Sequence, residues 1–313
     1  MKRTISLVLS ILLLAALAVP ASATEFLYMA TGGTSGTYYA LGGELANLFA
    51  KNGDDLDVTA QSTGASAENI RLIDQGEAEL GIVQNDVADY AFNGINAFEG
   101  EQIQSFATVA SLYPEFVQLV AHGDAGIETI ADLKGKRVSI GAAGSGVYFN
   151  AIDFLTVAGL TVEDIDAQYL SFSESSDAIK NRQIDAAFIV AGIPNAAIQE
   201  LASTSNVKLV ALTPEDVAAL QALRQFYAAS PIPTGTYPGQ EADVSAVAIR
   251  AILICKGDLS EDLVYNLTKT LYEKTGDLTH AKKAEIKLED AKLGVSTPIH
   301  PGAARYYAEA GVN

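Results

Sequence analysis

Short apolar runs alternate with segments whose apolar residues recur at helical spacing, and this rhythm persists along almost the whole chain. Phe26–Ala30 is the first run, followed by the turn Thr31-Gly32-Gly33-Thr34-Ser35-Gly36-Thr37 and then by Tyr38, Leu41, Leu45, Leu48 and Phe49. That order predicts a strand, a glycine-rich turn and a helix. Leu56–Thr63 is β-branched and bounded by turn residues. Ala65–Glu79 carries Ile70, Leu72 and Ile73 on a helical face, and LGIVQ reads as a buried strand. A βαβαβ succession of this kind predicts an α/β protein with mostly parallel strands.

The phrase then recurs. Val138–Leu155, VSIGAAGSGVYFNAIDFL, repeats strand, small-residue turn, aromatic pair and helix, and DAQYLSF, ESSDAIKNRQ and IDAAFIVAG continue it. Gly36 and Gly146 lie 110 positions apart, as do Ser66 and Ser176. A repeat this long predicts two similar lobes rather than a solenoid. Ala107–Asp124 is apolar without a turn until Gly123, and Asp243–Leu259 is its counterpart after the Pro/Gly-rich Ser230–Gln240. Both read as crossings, near Tyr113-Pro114-Glu115 and in the Gln240 to Val247 region. The first lobe then comprises 24–115 and 246–313, and the second 116–245.

The N-terminus adds a compartment. Met1-Lys2-Arg3, the apolar Ile5–Val19 and Ala21-Ser22-Ala23 form a basic start, a short apolar core and an Ala-x-Ala site. This pattern predicts a signal peptide at 1–23, cleaved after Ala23, and an exported, periplasmic protein. The formal net charge is −18, and loss of Lys2 and Arg3 takes it to −20. Nucleic acid and anionic membranes are therefore poor partners. The single cysteine, Cys255, sits in VAIRAILICKG and reads as a buried small hydrophobe.

Chemistry is sparse by comparison. The opening loop lacks the Gly-Lys-Ser/Thr ending of a P-loop, and Gly32, Gly33 and Gly36 do not give G-x-G-x-x-G, so no nucleotide cofactor is expected. His122, His280 and His300 are scattered without metal-ligand spacing and read as surface residues. No His/Asp partner pattern accompanies the turn serines, so neither an enzyme nor a metal or other cofactor is predicted. Two small-residue turns that open two helices instead offer bare N–H groups to a carboxylate held between the lobes.

Six stretches carry a family resemblance: TGGTSGTYYALGGELA, TGASAENIRLIDQGEAELGIVQND, SLYPEFVQLV, IGAAGSGVYFNA, DAAFIVAGIPNAAI and TYPGQEADV. Together they resemble the TAXI family, the extracytoplasmic solute receptors of one class of TRAP transporter. The resemblance implies a two-lobed type II periplasmic-binding-protein fold with the ligand cleft between the lobes. It further implies closure on a small organic acid or amino acid resembling glutamate, glutamine or 2-oxoglutarate, and delivery to a TRAP membrane permease. Carried over by position, it marks Thr31, Gly33, Thr34, Gly36 and Tyr38 in the opening turn. It marks Gly64, Ser66 and Asn69 at the second helix start, and Gln84 and Asp86 at a strand end. From the second lobe it marks Gly144, Ser145, Gly146 and Val147, with Gly192 and Pro194 opposite. Val147 stands where the family pattern leads one to expect threonine, which removes one hydroxyl. Glu115 can meet a ligand ammonium or brace the hinge. No arginine sits inside the motif turns; Arg71 and Arg137 are near enough in sequence to be candidates for a bidentate pair and otherwise read as surface residues. The alternatives are a receptor for an ABC transporter or a sensor kinase, and an exported enzyme on the same fold.

Overall fold

The computed structural model describes residues 24–312, so the leader and its cleavage site lie outside the described residues. The first half-repeat runs β1 (Glu25–Ala30), α1 (Thr37–Asn52), β2 (Leu56–Gln61), α2 (Ser66–Gln75), β3 (Leu80–Gln84) and α3 (Asn85–Asn93). A long strand, β4 (Phe106–His122), leads to β5 (Arg137–Ser139), α4 (Val147–Val157), β6 (Asp166–Gln168), α5 (Phe172–Lys180) and β7 (Ala186–Ala191). There follow α6 (Ala196–Thr204), β8 (Val207–Leu209), α7 (Pro214–Leu223) and β9 (Ala228–Ala229). The chain closes with β10 (Val247–Lys256), α8 (Glu261–Glu273) and α9 (Pro301–Glu309).

The described strands form one sheet in the order β2-β1-β3-β10-β4-β7-β5-β6, with β8 on β4 and β9 on β10. β1 lies parallel between β2 and β3, and β5 lies parallel between β6 and β7. The sequence repeat is thus a repeat of topology. β4 and β10 run antiparallel between the two triplets. At about 3.3 Å per residue, the 17 residues of β4 span roughly 55 Å, long enough to serve two lobes.

Packing shows where these strands change lobe. Leu27 and Met29 of β1 meet Leu41, Leu45 and Phe49 of α1 on one face of the first sheet region, while Ile70, Ile73 and Val87 cover the other. A strand buried on both faces reads as a continuous apolar run, and β10 does so: Leu253 and Cys255 join the first core, Ile252 and Ile254 the second. In the other lobe Val138, Phe154 and Phe188 pack on one face, and Ile179, Ile189 and Ile198 on the other. β4 belongs to first-lobe cores up to Tyr113 and to second-lobe cores from Phe116. β10 belongs to the second lobe at Val247 to Ile249 and to the first from Ala251.

Candidate ligand-binding cleft

Each lobe ends its central strand in a small-residue turn that opens a helix toward the other lobe. In the first, the Gly36 N–H donates to Gly33 O at 2.8 Å before α1 begins. In the second, Gly141 and Gly144 take φ of +91° and +80°, conformations that cost glycine nothing. The Ser145 N–H donates to Ala142 O at 3.0 Å and α4 starts after Gly146.

The helix N-termini divide into two groups. The N-cap side chains of α5 (Ser171), α6 (Asn195), α7 (Thr213), α8 (Ser260) and α9 (His300) each accept a first-turn N–H. No side chain caps α1, α2, α3 or α4. Their N-cap residues are Gly36, Ala65, Gln84 and Gly146, and all four line one cleft. First-turn amides lack partners within their own helix and carry the positive end of the helix dipole. The α2 amides of Ala67 and Glu68 are met by Gly144 O of the other lobe, so the termini that can turn first-turn amides toward an oxyanion in the cleft are those of α1, α3 and α4.

The lobes are closed over this cleft. Gly144 O of the second lobe accepts from the Ala67 and Glu68 amides of α2 at 3.0 and 3.3 Å. Asn195 Nδ2 reaches Ser35 O at 3.3 Å, and Asn150 Nδ2 reaches Asp86 Oδ2 at 3.0 Å. A Cβ on Gly64 would stand 2.7 Å from Ala143 O, so only glycine allows this approach. The cavity left between the lobes is small, about 90 Å3.

Its floor is a buried acid pair. Tyr38 Oη donates to Glu115 Oε2 at 2.5 Å, and both residues are buried. Burial pushes the Glu115 carboxyl up to about 8, against the Tyr38 hydrogen bond that favours its charged form. Lys282, only 4% exposed, sits behind the floor with its Nζ 5.9 Å from the Tyr113 ring centre and 2.6 Å from Glu285 Oε1. Its charge pulls Glu115 down, but by less than burial raises it. Two further polar atoms, Gln84 Oε1 from the first lobe and Ser145 Oγ from the second, line the cleft buried and without a partner. Val147, Phe172 and Val190 supply apolar wall. Among the described residues, no lysine, arginine, histidine or cysteine lines this cleft.

Gly33, Gly36, Tyr38, Gly64, Ser66, Gln84, Ser145, Gly146 and Val147 of the sequence-marked set line the cleft. The remainder sit around it. Thr31 is fully buried and its Oγ1 donates to Gln61 O at 2.5 Å, tying the start of the turn after β1 to the end of β2. Thr34 and Pro194 are exposed. Asn69 donates to Thr31 O and Ile82 O at 2.6 and 2.8 Å and so locks the strand ends. Asp86 and Gly144 make the lobe-to-lobe hydrogen bonds described above, and Gly192 packs against the Lys282 side chain. Arg71 pairs with Glu101 at 2.9 Å and Arg137 with Asp185 at 2.7 Å, both outside the cleft.

The histidines differ from the expectation of surface residues. His122 and His300 are buried and His280 half-buried, and each accepts a backbone N–H two residues ahead at 3.1 Å through Nδ1. An imidazole can cap a turn as a carboxamide does, which composition alone does not reveal. Sequence reasoning also missed Thr37, Thr63, Ser171 and Phe172. Thr37 and Ser171 sit at helix starts, where the signal was present; Phe172 enters only because the second lobe folds over the first.

This is the two-lobed, type II periplasmic-binding-protein fold. The profile of the NMT1-like family matches residues 29–311, and the chain belongs to that family. Its fold is similar to that of the alkanesulfonate-binding protein SsuA from Xanthomonas axonopodis pv. citri bound to MOPS, at TM-score 0.55 and 16% identity over 92% of this chain and 85% of that one. A binding protein component of an ABC phosphonate transporter from Pseudomonas aeruginosa gives 0.55 and 13%, over 84% and 80%. A putative L-cystine ABC transporter protein from Listeria monocytogenes gives 0.52 and 15%, over 83% and 94%.

Proposed function

We propose that this chain is an extracytoplasmic solute receptor that captures a small organic acid or amino acid between its lobes and presents it to a membrane permease, without chemical turnover. The observation that carries this reading is the convergence on one cleft of four helix N-termini without side-chain caps, of which α2 alone is met by a carbonyl of the other lobe. The ligand's acid head meets helix N-termini that no side chain caps and accepts from Ser145 Oγ of the second lobe, while Gln84 Oε1 of the first lobe can accept from a donor elsewhere on the ligand, such as an ammonium. Closure follows from differential affinity, since only the closed state presents both lobes' donors at once. We infer lobes of 24–115 with 246–313, and of 116–245; the packing of Val247 to Ile249 on the second lobe's cores favours a second crossing a few residues later, near Arg250. The protein works in the periplasm after loss of residues 1–23.

An ABC-type permease is the partner that the comparisons favour, because two of the structurally similar proteins are named as parts of ABC transporters. The names of those proteins and of the alkanesulfonate receptor also share a ligand chemistry, an oxyanion head on a small body. A TRAP permease is the second reading, favoured by the Leu112-Tyr113-Pro114-Glu115 stretch and its resemblance to TAXI receptors. Uptake into vesicles bearing the permease separates the two: dependence on ATP supports the first, dependence on an ion gradient the second. A thermal-shift screen over small carboxylates, sulfonates, phosphonates and amino acids tests the receptor reading. A binder should raise the melting temperature with concentration, by mass action.

A further inference from the structure

A second cavity, larger than the cleft at about 520 Å3, lies where the two lobes meet at the hinge strands. Pro114 and Arg250 are register partners in β4 and β10 and both line it. Glu115, the next residue, lines the ligand cleft instead, as expected for side chains that alternate between the faces of a strand. Asn85 and Val295 bring in the first lobe, and Phe226 and Ser230 the second. Among the described residues, no aspartate or glutamate lines it.

Arg250 is the unusual group here. Its Nε donates to Ser111 Oγ at 2.9 Å, its backbone N–H donates to Asn85 Oδ1 at 3.0 Å, and its stem packs on Gly294. Among the described residues, Nη2 is sealed from solvent with no hydrogen-bond partner, and Nη1 has no partner either and is not sealed, so Nη1 is the donor open to a ligand. Among the same residues no carboxylate forms an ion pair with this guanidinium. Burial lowers its pKa despite the more distant Asp290, Glu285 and Glu115. A partly buried guanidinium with an unused donor is costly unless something completes it. The neighbouring apolar wall of Phe226, Ile249, Leu293 and Val295 suits the body of an organic molecule.

We propose that this hinge cavity is a second binding site, for a small organic anion whose acid group meets Arg250 and whose apolar body lies on Phe226 and Val295. A ligand there touches both lobes and the strands between them, so its binding is coupled to the lobe angle. The test uses 4-bromobenzoate, a carboxylate whose bromine can be located by anomalous scattering in soaked crystals and whose affinity can be measured by calorimetry. The expected bromine peak lies in the hinge cavity. Arg250→Gln should weaken binding about tenfold, and Arg250→Lys should restore part of it. Ala228→Trp, at the exposed rim, should block entry while leaving Arg250 in place and the fold intact. Absence of binding to the folded wild type, or a peak in the interlobe cleft with an affinity that falls in Ser145→Ala and not in Arg250→Gln, would overturn the proposal.

Discussion

Asn150 Nδ2 of α4 donates to Asp86 Oδ2 of α3 at 3.0 Å, a buried side-chain bond that ties the two lobes beside the ligand cleft together with those at Gly144 O and Ser35 O. Asn150 Nδ2 also meets Tyr227 Oη at 3.0 Å, Tyr227 Oη donates to Asp153 Oδ2 at 3.0 Å, and Arg224 pairs with Asp153 at 3.2 Å. The link is therefore the first-lobe end of a buried polar chain anchored in the second lobe. Asn150→Ala should remove it and leave the Asp86 carboxyl unpartnered on that side. A loss of roughly 1–3 kcal/mol is expected for a buried group left unsatisfied, read as a lower denaturation midpoint. Scattering should show a larger radius of gyration in the same variant.

Stability should fall as pH rises through the neutral range, because two buried carboxyls are held protonated. Burial pushes Asp86 from 3.8 up to about 7 and Glu115 from 4.5 up to about 8. Between those limits the folded state binds more protons than the unfolded one, so each group costs stability as pH rises, at up to about 1.4 kcal/mol per pH unit. His280 and His300, whose pKa values burial lowers, act with the opposite sign below 6.5. The isosteric variants isolate the carboxyls. Asp86→Asn and Glu115→Gln should gain on the wild type in melting temperature between pH 5 and pH 8, and a constant gap across that range would show that neither group is held protonated.

Gly64 is the position where a single methyl group should prevent closure. Its added Cβ would stand 2.7 Å from Ala143 O, a backbone atom of the opposite lobe, and 2.5 Å from Glu68 Oε2. Glu68 can swing away; the backbone of the other lobe can give way only if the lobes part. Gly64→Ala should keep each lobe folded, with an unchanged far-ultraviolet circular dichroism spectrum, and should increase the radius of gyration.

Ser145→Ala should weaken the cleft ligand by roughly 1 kcal/mol, the typical net worth of one hydrogen bond. Ser145 Oγ is buried without a protein partner, so its loss costs the apo protein nothing in hydrogen bonding. The variant should therefore match the wild type in unliganded stability and differ only once ligand is added. A matching loss in the apo protein would assign Ser145 to the fold instead.

Much of the fold was legible because its signals are local. The alternation of apolar runs with helical faces, and its repetition after 110 positions, carried the two similar lobes. The uninterrupted run from Ala107 became one long strand, β4, the first of the two that cross between the lobes. The cleft was legible where a turn opens a helix, as at Gly36, Gly64 and Gly146. It was not legible where it depends on what the other lobe brings. The capping of Ala67 and Glu68 by Gly144 O joins residues far apart in sequence. Lys282 reaches the cleft floor from the C-terminal segment, through a turn whose cap is a histidine. Asn69, marked in the second helix start, gives its Nδ2 to Thr31 O and Ile82 O, partners that the local sequence does not reveal.

Calorimetric titration of the wild type and of Gly64→Ala with whichever small acid or amino acid gives the largest thermal shift tests the receptor reading most directly. One-to-one binding to the wild type is expected, with at least about a tenfold loss of affinity in Gly64→Ala. Equal affinity in the two proteins would contradict a ligand enclosed between the lobes.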